Sequence, residues 1–280
     1  MEEQFFIDEP VAVTFYFGSL QYFLERYQGY FRYLRRHKYP DHKMLMMSNF
    51  NWFFLVKDYL TWNIDLPDFF KEKNLTALHY ESVEPNKEVI DPTLYKDLQD
   101  YLFQFYNRDK AVELWCPRGD SLIIKAQNQV FQDYKIEEIK EFNLEKPTIT
   151  INVSPIVRPY IWAEVIEMLL PNFDIALFNN NVIQCDGITN IETLEDFCTF
   201  SKNSYITINA HDDYAYIPFV IQSRNFVISN VKGNDLLTLH KKMKTPLAFF
   251  PIDNYNSLDS KEIVQNVLKA IETFKETGKI

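Results

Sequence analysis

The feature that most constrains this chain is an alternation of short apolar strand signals with amphipathic helix signals, which runs through the sequence twice. Val11 to Phe17 is an apolar, β-branched and aromatic run, and Gly18-Ser19 then opens a helical stretch from Leu20 to about Arg36. Lys43 to Met47 reads as a second strand, Trp52 to Tyr59 as a helix, Asp65-Leu66-Pro67 as a loop and Leu75 to Tyr80 as a third strand. Pro92 sits where a first helical turn tolerates it, with Leu94, Leu98, Leu102 and Phe105 at helical spacing behind it. Ala111 to Cys116 is a strand stopped by Pro117-Arg118-Gly119. After a charged stretch from Lys135 to Lys146 and the Pro147 behind it, strands recur at Thr148 to Val153, Phe173 to Phe178, Tyr205 to Asn209, Phe226 to Ser229 and Leu247 to Phe250. Helices fall between them at Tyr160 to Leu170, Glu192 to Phe200 and near Ala215.

Such alternation builds parallel sheets covered by helices on both faces. At 280 residues the chain also exceeds the usual one-domain size, roughly 100–200 residues. The expected class is α/β, with two doubly wound, Rossmann-like domains facing a cleft. The charged stretch divides a first domain, 1–146, from a second, 147–256, and a final segment, 257–280, carries Ile263, Val267, Ile271 and Phe274 on one stripe. Ligands of such sheets bind outside the carboxyl ends of the strands, so polar residues at strand ends become the candidates.

Composition removes several functions. No apolar run approaches the ~18–20 residues that span a bilayer, and Met1-Glu2-Glu3-Gln4 lacks the basic start of a secretion signal, so a cytoplasmic protein without a membrane partner is expected. Cys116, Cys185 and Cys198 show neither a disulfide framework nor metal spacing and read as reduced core thiols. A net charge of −10 argues against coating nucleic acid through bulk electrostatics. One segment departs from that balance: between Glu25 and Asp41 there is no acid, while Arg26, Arg32, Arg35, Arg36 and Lys38 stand among Tyr22, Tyr27, Tyr30, Tyr33 and Tyr39. No Gly-x-Gly-x-x-Gly, Walker loop, His-Glu-x-x-His or Gly-x-Ser-x-Gly is present, which sets aside dinucleotide enzymes, nucleotide kinases, zinc proteases and common serine hydrolases.

Several strand-end residues carry usable chemistry. Arg118 and Arg158 each follow a strand, and a pair of guanidinium forks suits a diphosphate, whose charge they would offset as it departs; two surface arginines paired with acids are the plain alternative. The stretch from Tyr205 to Tyr214 ends an apolar strand in Asn209, His211, Asp212 and Asp213, where a phosphate could meet a helix start or the acids could simply cap it. Phe178-Asn179-Asn180-Asn181 and Ile188-Thr189-Asn190 are loops able to pinch a base, or else ordinary turns. Asp65, His79, Glu81 and Asp120 are candidates for a base that deprotonates an acceptor hydroxyl.

At these residues the chain resembles the GT-B glycosyltransferases. The resemblance rests on the strand-Gly18 turn, Cys116-Pro117-Arg118-Gly119, Arg158-Pro159-Tyr160, Ile188-Thr189-Asn190 and Asn209-Ala210-His211-Asp212-Asp213, and spans nearly the whole chain. It implies an acceptor-binding first domain, a nucleotide-sugar-binding second domain and a final helix that crosses back to the first. It further implies donor contacts from Gly18, Phe178, Asn179, Ile188, Asn190, Asn209, His211, Asp212, Asp213 and Tyr214. Catalytic roles fall to Arg118, Arg158, Glu81 and Asp120, with no metal strictly required because arginines and helix dipoles can replace the cation. A narrower resemblance, in compact size and in Asn-, Phe- and Tyr-rich composition, is to the T-even phage glucosyltransferases of hydroxymethylcytosine DNA. That one implies UDP-glucose as donor and a glucose on glucosyl-hydroxymethylcytosine double-stranded DNA as acceptor. Arg32, Arg35, Arg36 and Lys38 would then contact phosphates. A glycan- or lipid-directed transferase and a non-catalytic nucleotide-sugar-binding module are the alternatives.

Overall fold

A computed structural model describes residues 6–16, 20, 23–24, 28–48, 53–71, 92–115, 139, 144–230, 236–237, 241 and 244–278. The chain divides into two compact units, Met1–Tyr134 and Lys135–Ile280.

In the first unit β1 (Val11–Tyr16), β2 (Lys43–Ser48), β3 (Trp62–Ile64) and β4 (Ala111–Trp115) form a parallel sheet in the order β3-β2-β1-β4. All six residues of β1 are buried, the pattern of a central strand covered on both faces. Its one hydroxyl is satisfied, Thr14 Oγ1 donating to the Leu45 carbonyl at 2.9 Å. α1 (Gln28–Tyr33) runs on into wider turns over Leu34–Lys38, where the Tyr39 N–H reaches the Leu34 carbonyl at 2.8 Å. Short α2 (Phe53–Val56) and α3 (Asp68–Lys71) precede α4 (Pro92–Leu102), whose Leu98 and Leu102 pack with Val13, Phe15, Leu45 and Phe70. The third strand thus lies at Trp62–Ile64, in a stretch that sequence periodicity leaves between a helix and a loop, since three residues are too few to show alternation. The strand expected at Leu75 to Tyr80 lies outside the described residues.

In the second unit β5 (Thr148–Asn152), β6 (Asp174–Phe178), β7 (Ile188–Ile191), β8 (Ile206–Ala210), β9 (Asn225–Ser229) and β10 (Leu247–Pro251) are all parallel, in the order β10-β9-β8-β5-β6-β7. The chain starts at β5, winds outward through β6 and β7, then returns to the other side of β5 for β8, β9 and β10. This is the doubly wound order, and its reversal between β5 and β8 opens a crevice at their carboxyl ends. α5 (Pro159–Leu169) starts on a proline at its first turn, and α6 (Leu194–Asn203) is capped by Thr193, whose Oγ1 accepts from the Asp196 N–H at 3.1 Å. A 3-10 turn at Asp213–Tyr216 leads into α7 (Ile217–Val220).

The last helix, α8 (Ser260–Glu276), belongs to this unit. Its Ile263, Val264, Val267, Ala270, Ile271 and Phe274 are buried in the same cluster as Ile161, Val165 and Leu169 of α5. The Ser260 hydroxyl donates to Glu164 at 2.5 Å, and Asp259 caps the first turn. The apolar stripe expected to cross to the first domain is therefore spent on the second unit's own core. Burying each of the Ile, Val and Phe side chains among them contributes roughly 1.5–3 kcal/mol.

Candidate functional site

An open pocket of about 490 Å³ sits at the carboxyl ends of β5 and β6, beside the strand-order reversal, and reaches the turn after β8 at Tyr214. Val153, Ser154, Pro155 and Val157 supply one wall from the β5–α5 connection, Pro159 and Trp162 another from α5, Asn179, Asn181 and Val182 a third, and Tyr214 closes it from the turn after β8. The lining is mainly apolar with a few amide and hydroxyl groups, the make-up of a small-molecule site. Trp162 is fully buried and is fixed by its Nε1–H, which donates to the Ser154 carbonyl at 3.2 Å. Tyr214 rests edge-on against Phe178 and Phe197, with ring centroids 5.2 and 6.4 Å away.

Behind the pocket three strand ends are tied by side chains. Asn152 Nδ2 donates to both oxygens of Asp212 at 3.2 and 3.0 Å, and Asn179 Nδ2 donates to Asn152 Oδ1 at 2.8 Å. The Tyr214 N–H donates to Asp212 Oδ1 at 3.0 Å, so the carboxylate also caps the 3-10 turn. Burial pushes the Asp212 carboxyl above its ordinary value, while the nearby Ser154 hydroxyl, the Asn152 amide and the Tyr214 and Ala215 N–H groups pull the other way. Burial likewise raises the Tyr214 phenol, helped by the nearby charges of Asp212 and Asp213. Asn179 holds a left-handed backbone, φ 58°, which asparagine tolerates better than most residues.

The expected donor residues divide accordingly. Asn179 and Tyr214 line the pocket, and Asp212 stands behind it. Phe178 does not: it is buried and stacks on Phe197 at 4.5 Å, because the last residue of an interior strand faces α6. Asn209 is also interior, fully buried with its Nδ2 donating to Asn225 Oδ1 at 2.8 Å, while Asn225 holds the Ala215 carbonyl at 2.9 Å. His211 has both ring nitrogens engaged, Nδ1 with Ser229 Oγ at 2.7 Å and Nε2 with the Tyr216 hydroxyl at 3.1 Å. Asp213 begins the 3-10 turn and is partly buried. Ile188 packs on the core from β7, and the exposed Asn190 accepts from Asn180 Nδ2 at 2.7 Å, which pins the 180–183 turn. None of these lines the pocket.

Arg158 is exposed at the N-cap of α5, between the pocket residues Val157 and Pro159, with its Nη1 3.5 Å from the Tyr160 hydroxyl. Gly18, His79, Glu81, Arg118, Asp120 and Cys116 lie outside the described residues, and Asp65 is exposed after β3. Among the basic candidates Arg32 is corrected outright. It is fully buried, its Nε and Nη2 bind the two oxygens of Asp58 at 2.6 and 2.7 Å, and Nη2 also reaches the Leu55 carbonyl at 2.9 Å. Position 32 falls on the inward face of α1, so its charge serves the fold and not a DNA phosphate. Arg35 is tied to the Tyr39 and Pro40 carbonyls, Lys38 lies 5.3 Å from the Tyr39 ring centroid, and Arg36 is exposed. Of the described cysteines, Cys198 is buried, with its thiol pushed up by that burial, and Cys185 is half-buried.

Sequence reasoning missed Asn152, Ser154 and Trp162. Asn152 was legible as the one amide in the strand Thr-Ile-Thr-Ile-Asn, and a carboxamide at the buried end of such a strand needs a partner. Among the described residues no three His, Cys, Asp or Glu side chains could jointly hold a metal, and no helix is long and apolar enough to cross a membrane.

No protein-family model matches the sequence, and no curated protein matches it. Solved structures do match in shape. The ADP-heptose lps heptosyltransferase II of E. coli is 10% identical with a TM-score of 0.54, over 95% of this chain and 99% of that one. The E. coli heptosyltransferase WaaC with ADP is 8% identical with a TM-score of 0.53, over 93% and 98%. Against the iron-containing dodecameric glycosyltransferase TibC of enterotoxigenic E. coli H10407, 11% identical with a TM-score of 0.40 over 80% of this chain, the chain spans 59% of the other's length. At such identities the likeness concerns the fold, which is the two-sheet, Rossmann-like α/β architecture of GT-B type.

Proposed function

We propose that this chain is a glycosyltransferase that binds a nucleoside-diphosphate sugar through its second unit and transfers the sugar to an acceptor hydroxyl. The observation that carries the reading is the pocket at the strand-order reversal of a doubly wound sheet, where such sheets take nucleotides. Its mainly apolar lining suits a base and ribose. The diphosphate would then run toward the start of α5 and toward Arg158 at its N-cap. Arg158, and Arg118 from the first unit, would offset charge on the departing nucleotide. The first unit would carry the acceptor and a base, for which Glu81 and Asp120 are the candidates.

UDP-glucose is the donor expected from sequence, whereas the shape-related heptosyltransferases are described with ADP-heptose or ADP, so both nucleotides belong in the test. For the acceptor, glucosyl-hydroxymethylcytosine DNA is the expectation, and the burial of Arg32 removes one of its four phosphate contacts. That burial and the net charge of −10 favour a glycan- or lipid-linked acceptor as the second reading.

The test is release of nucleoside diphosphate, and of label onto polymer or lipid, from UDP-glucose and from an ADP-sugar with modified DNAs and glycan acceptors. Transfer is expected with one donor and one acceptor class, and Arg158→Ala should lower its rate roughly tenfold or more. Saturable nucleotide binding without release for any acceptor would mean a binding module and no enzyme.

A further inference from the structure

The pocket is polarised. On one side are the start of α5 and, between the lining residues Val157 and Pro159, the exposed Arg158. On the other, Tyr214 and Asn179 line it, and Asp212 stands behind them, joined to Asn179 through Asn152. Among the described residues that line it there is no lysine, arginine or acid, and the polar ones are Ser154, Asn179, Asn181 and Tyr214. An anion drawn to the Tyr214 side would find no counter-charge there and would meet Asp212 and Asp213 nearby, whereas an uncharged group meets no such opposition. The Tyr214 hydroxyl has a defined sense as well. Asn152 spends its Nδ2 on Asp212, so its Oδ1 accepts one N–H of Asn179 at 2.8 Å. The Asn179 amide is also a donor to the Tyr214 hydroxyl, so the phenol oxygen accepts from the protein and its own proton is left for another partner. Burial, and after it the charges of Asp212 and Asp213, keep that proton on the oxygen.

We infer that Tyr214 is a binding residue whose hydroxyl donates to an acceptor atom on the uncharged nucleoside part of the donor, so that the pocket recognises a nucleoside even without its phosphates. The inference rests on the nucleotide reading above. A ribose hydroxyl, a base carbonyl and a ring nitrogen each offer the lone pair that the phenol needs. The apolar walls of Val153, Val157, Trp162 and Val182 suit the faces of a base, which a phosphate group cannot use. Because the pocket is open, water competes for the same proton, and one such bond contributes modestly to affinity. The phosphates then lie on the α5 side, where Arg158 bears on them and not on the nucleoside.

The test is isothermal titration of the full chain with adenosine, uridine, ADP and UDP. The wild type should bind at least one of the two nucleosides, and excess pyrophosphate should not displace it. Tyr214→Phe removes only the hydroxyl and keeps the ring against Phe178 and Phe197. It should weaken that nucleoside and its diphosphate by the same factor, roughly threefold to tenfold, at an unchanged Tm. Arg158→Ala should weaken the diphosphate and leave the nucleoside within about twofold. Diphosphates that bind while neither nucleoside does overturn the inference, as does displacement of the nucleoside by pyrophosphate. So does a Tyr214→Phe variant that binds the nucleoside as tightly as wild type, or that loses affinity for the diphosphate alone. If none of the four compounds binds, the nucleotide reading itself fails and this inference falls with it, a result distinct from binding that does not depend on the Tyr214 hydroxyl.

Discussion

Arg32 shows how a single side chain can mislead in a sequence and become informative in a fold. An arginine in an acid-free, tyrosine-rich segment suggests phosphate contact, but the partner that neutralises it, Asp58, lies 26 residues on and brings a second anchor, the Leu55 carbonyl. Replacing Arg32 with Met should cost about 2–4 kcal/mol in denaturant unfolding, toward the low side for a broken ion pair because Asp58 keeps some access to water. A variant of unchanged stability would contradict the structural role. Asp212 makes a second residue-scale prediction. Burial raises its carboxyl above the ordinary 3.8, so the folded state holds the proton more tightly than the unfolded chain does. Its favourable share of stability is therefore present at low pH and is lost as pH rises from about 3.8 through the raised value. The Asp212 charge in turn disfavours ionisation of the Tyr214 phenol on its own turn and of the Tyr255 phenol from the segment after β10. Unfolding of wild type and Asp212→Asn between pH 4 and 7 should show wild type losing ground to the variant as pH rises, and a gap that is flat or moves the other way would contradict this.

Among the elements, those with long apolar runs were legible and those held by polar contacts were not. β5, β6, β8, β9 and β10 follow their strand signals to within two residues, because β-branched and aromatic side chains mark buried strands even where Thr and Asn stand among them. β7 was missed because its two central residues, Thr189 and Asn190, face water at the sheet edge, so its sequence resembles a loop. α8 was legible as an amphipathic helix, yet the stripe says only that something covers it, and α5 is what does. Ile263→Ala should cost the second unit about 2–5 kcal/mol, read as a fall in its unfolding midpoint, since the side chain is fully buried. A loss of less than about 0.5 kcal/mol, the range of surface substitutions, would mean that the helix is not part of that core.

At the scale of the whole molecule, alternation in the sequence was enough to foresee two parallel α/β units, because each strand-helix step has few packing solutions. The position of the site was legible in part. The pocket lies at strand ends, with Asn179 and Tyr214 lining it and Asp212 behind, but a sequence does not say which strand ends are neighbours. Asn152, Asn179 and Asp212 are brought together only by the order β8-β5-β6. The second unit buries its own core, so residues 135–280 should unfold cooperatively as a separate protein, and a non-cooperative melt would contradict that independence. The most direct test of the account is nucleotide affinity after the pocket is filled from its rim. Asn181 lines it while remaining exposed, so Asn181→Trp can occupy the space without disturbing the core. The account predicts that titration of this variant with ADP and UDP shows roughly tenfold or greater weakening of whichever nucleotide the wild type binds, at an unchanged Tm. Undiminished affinity would place the nucleotide elsewhere and contradict the assignment.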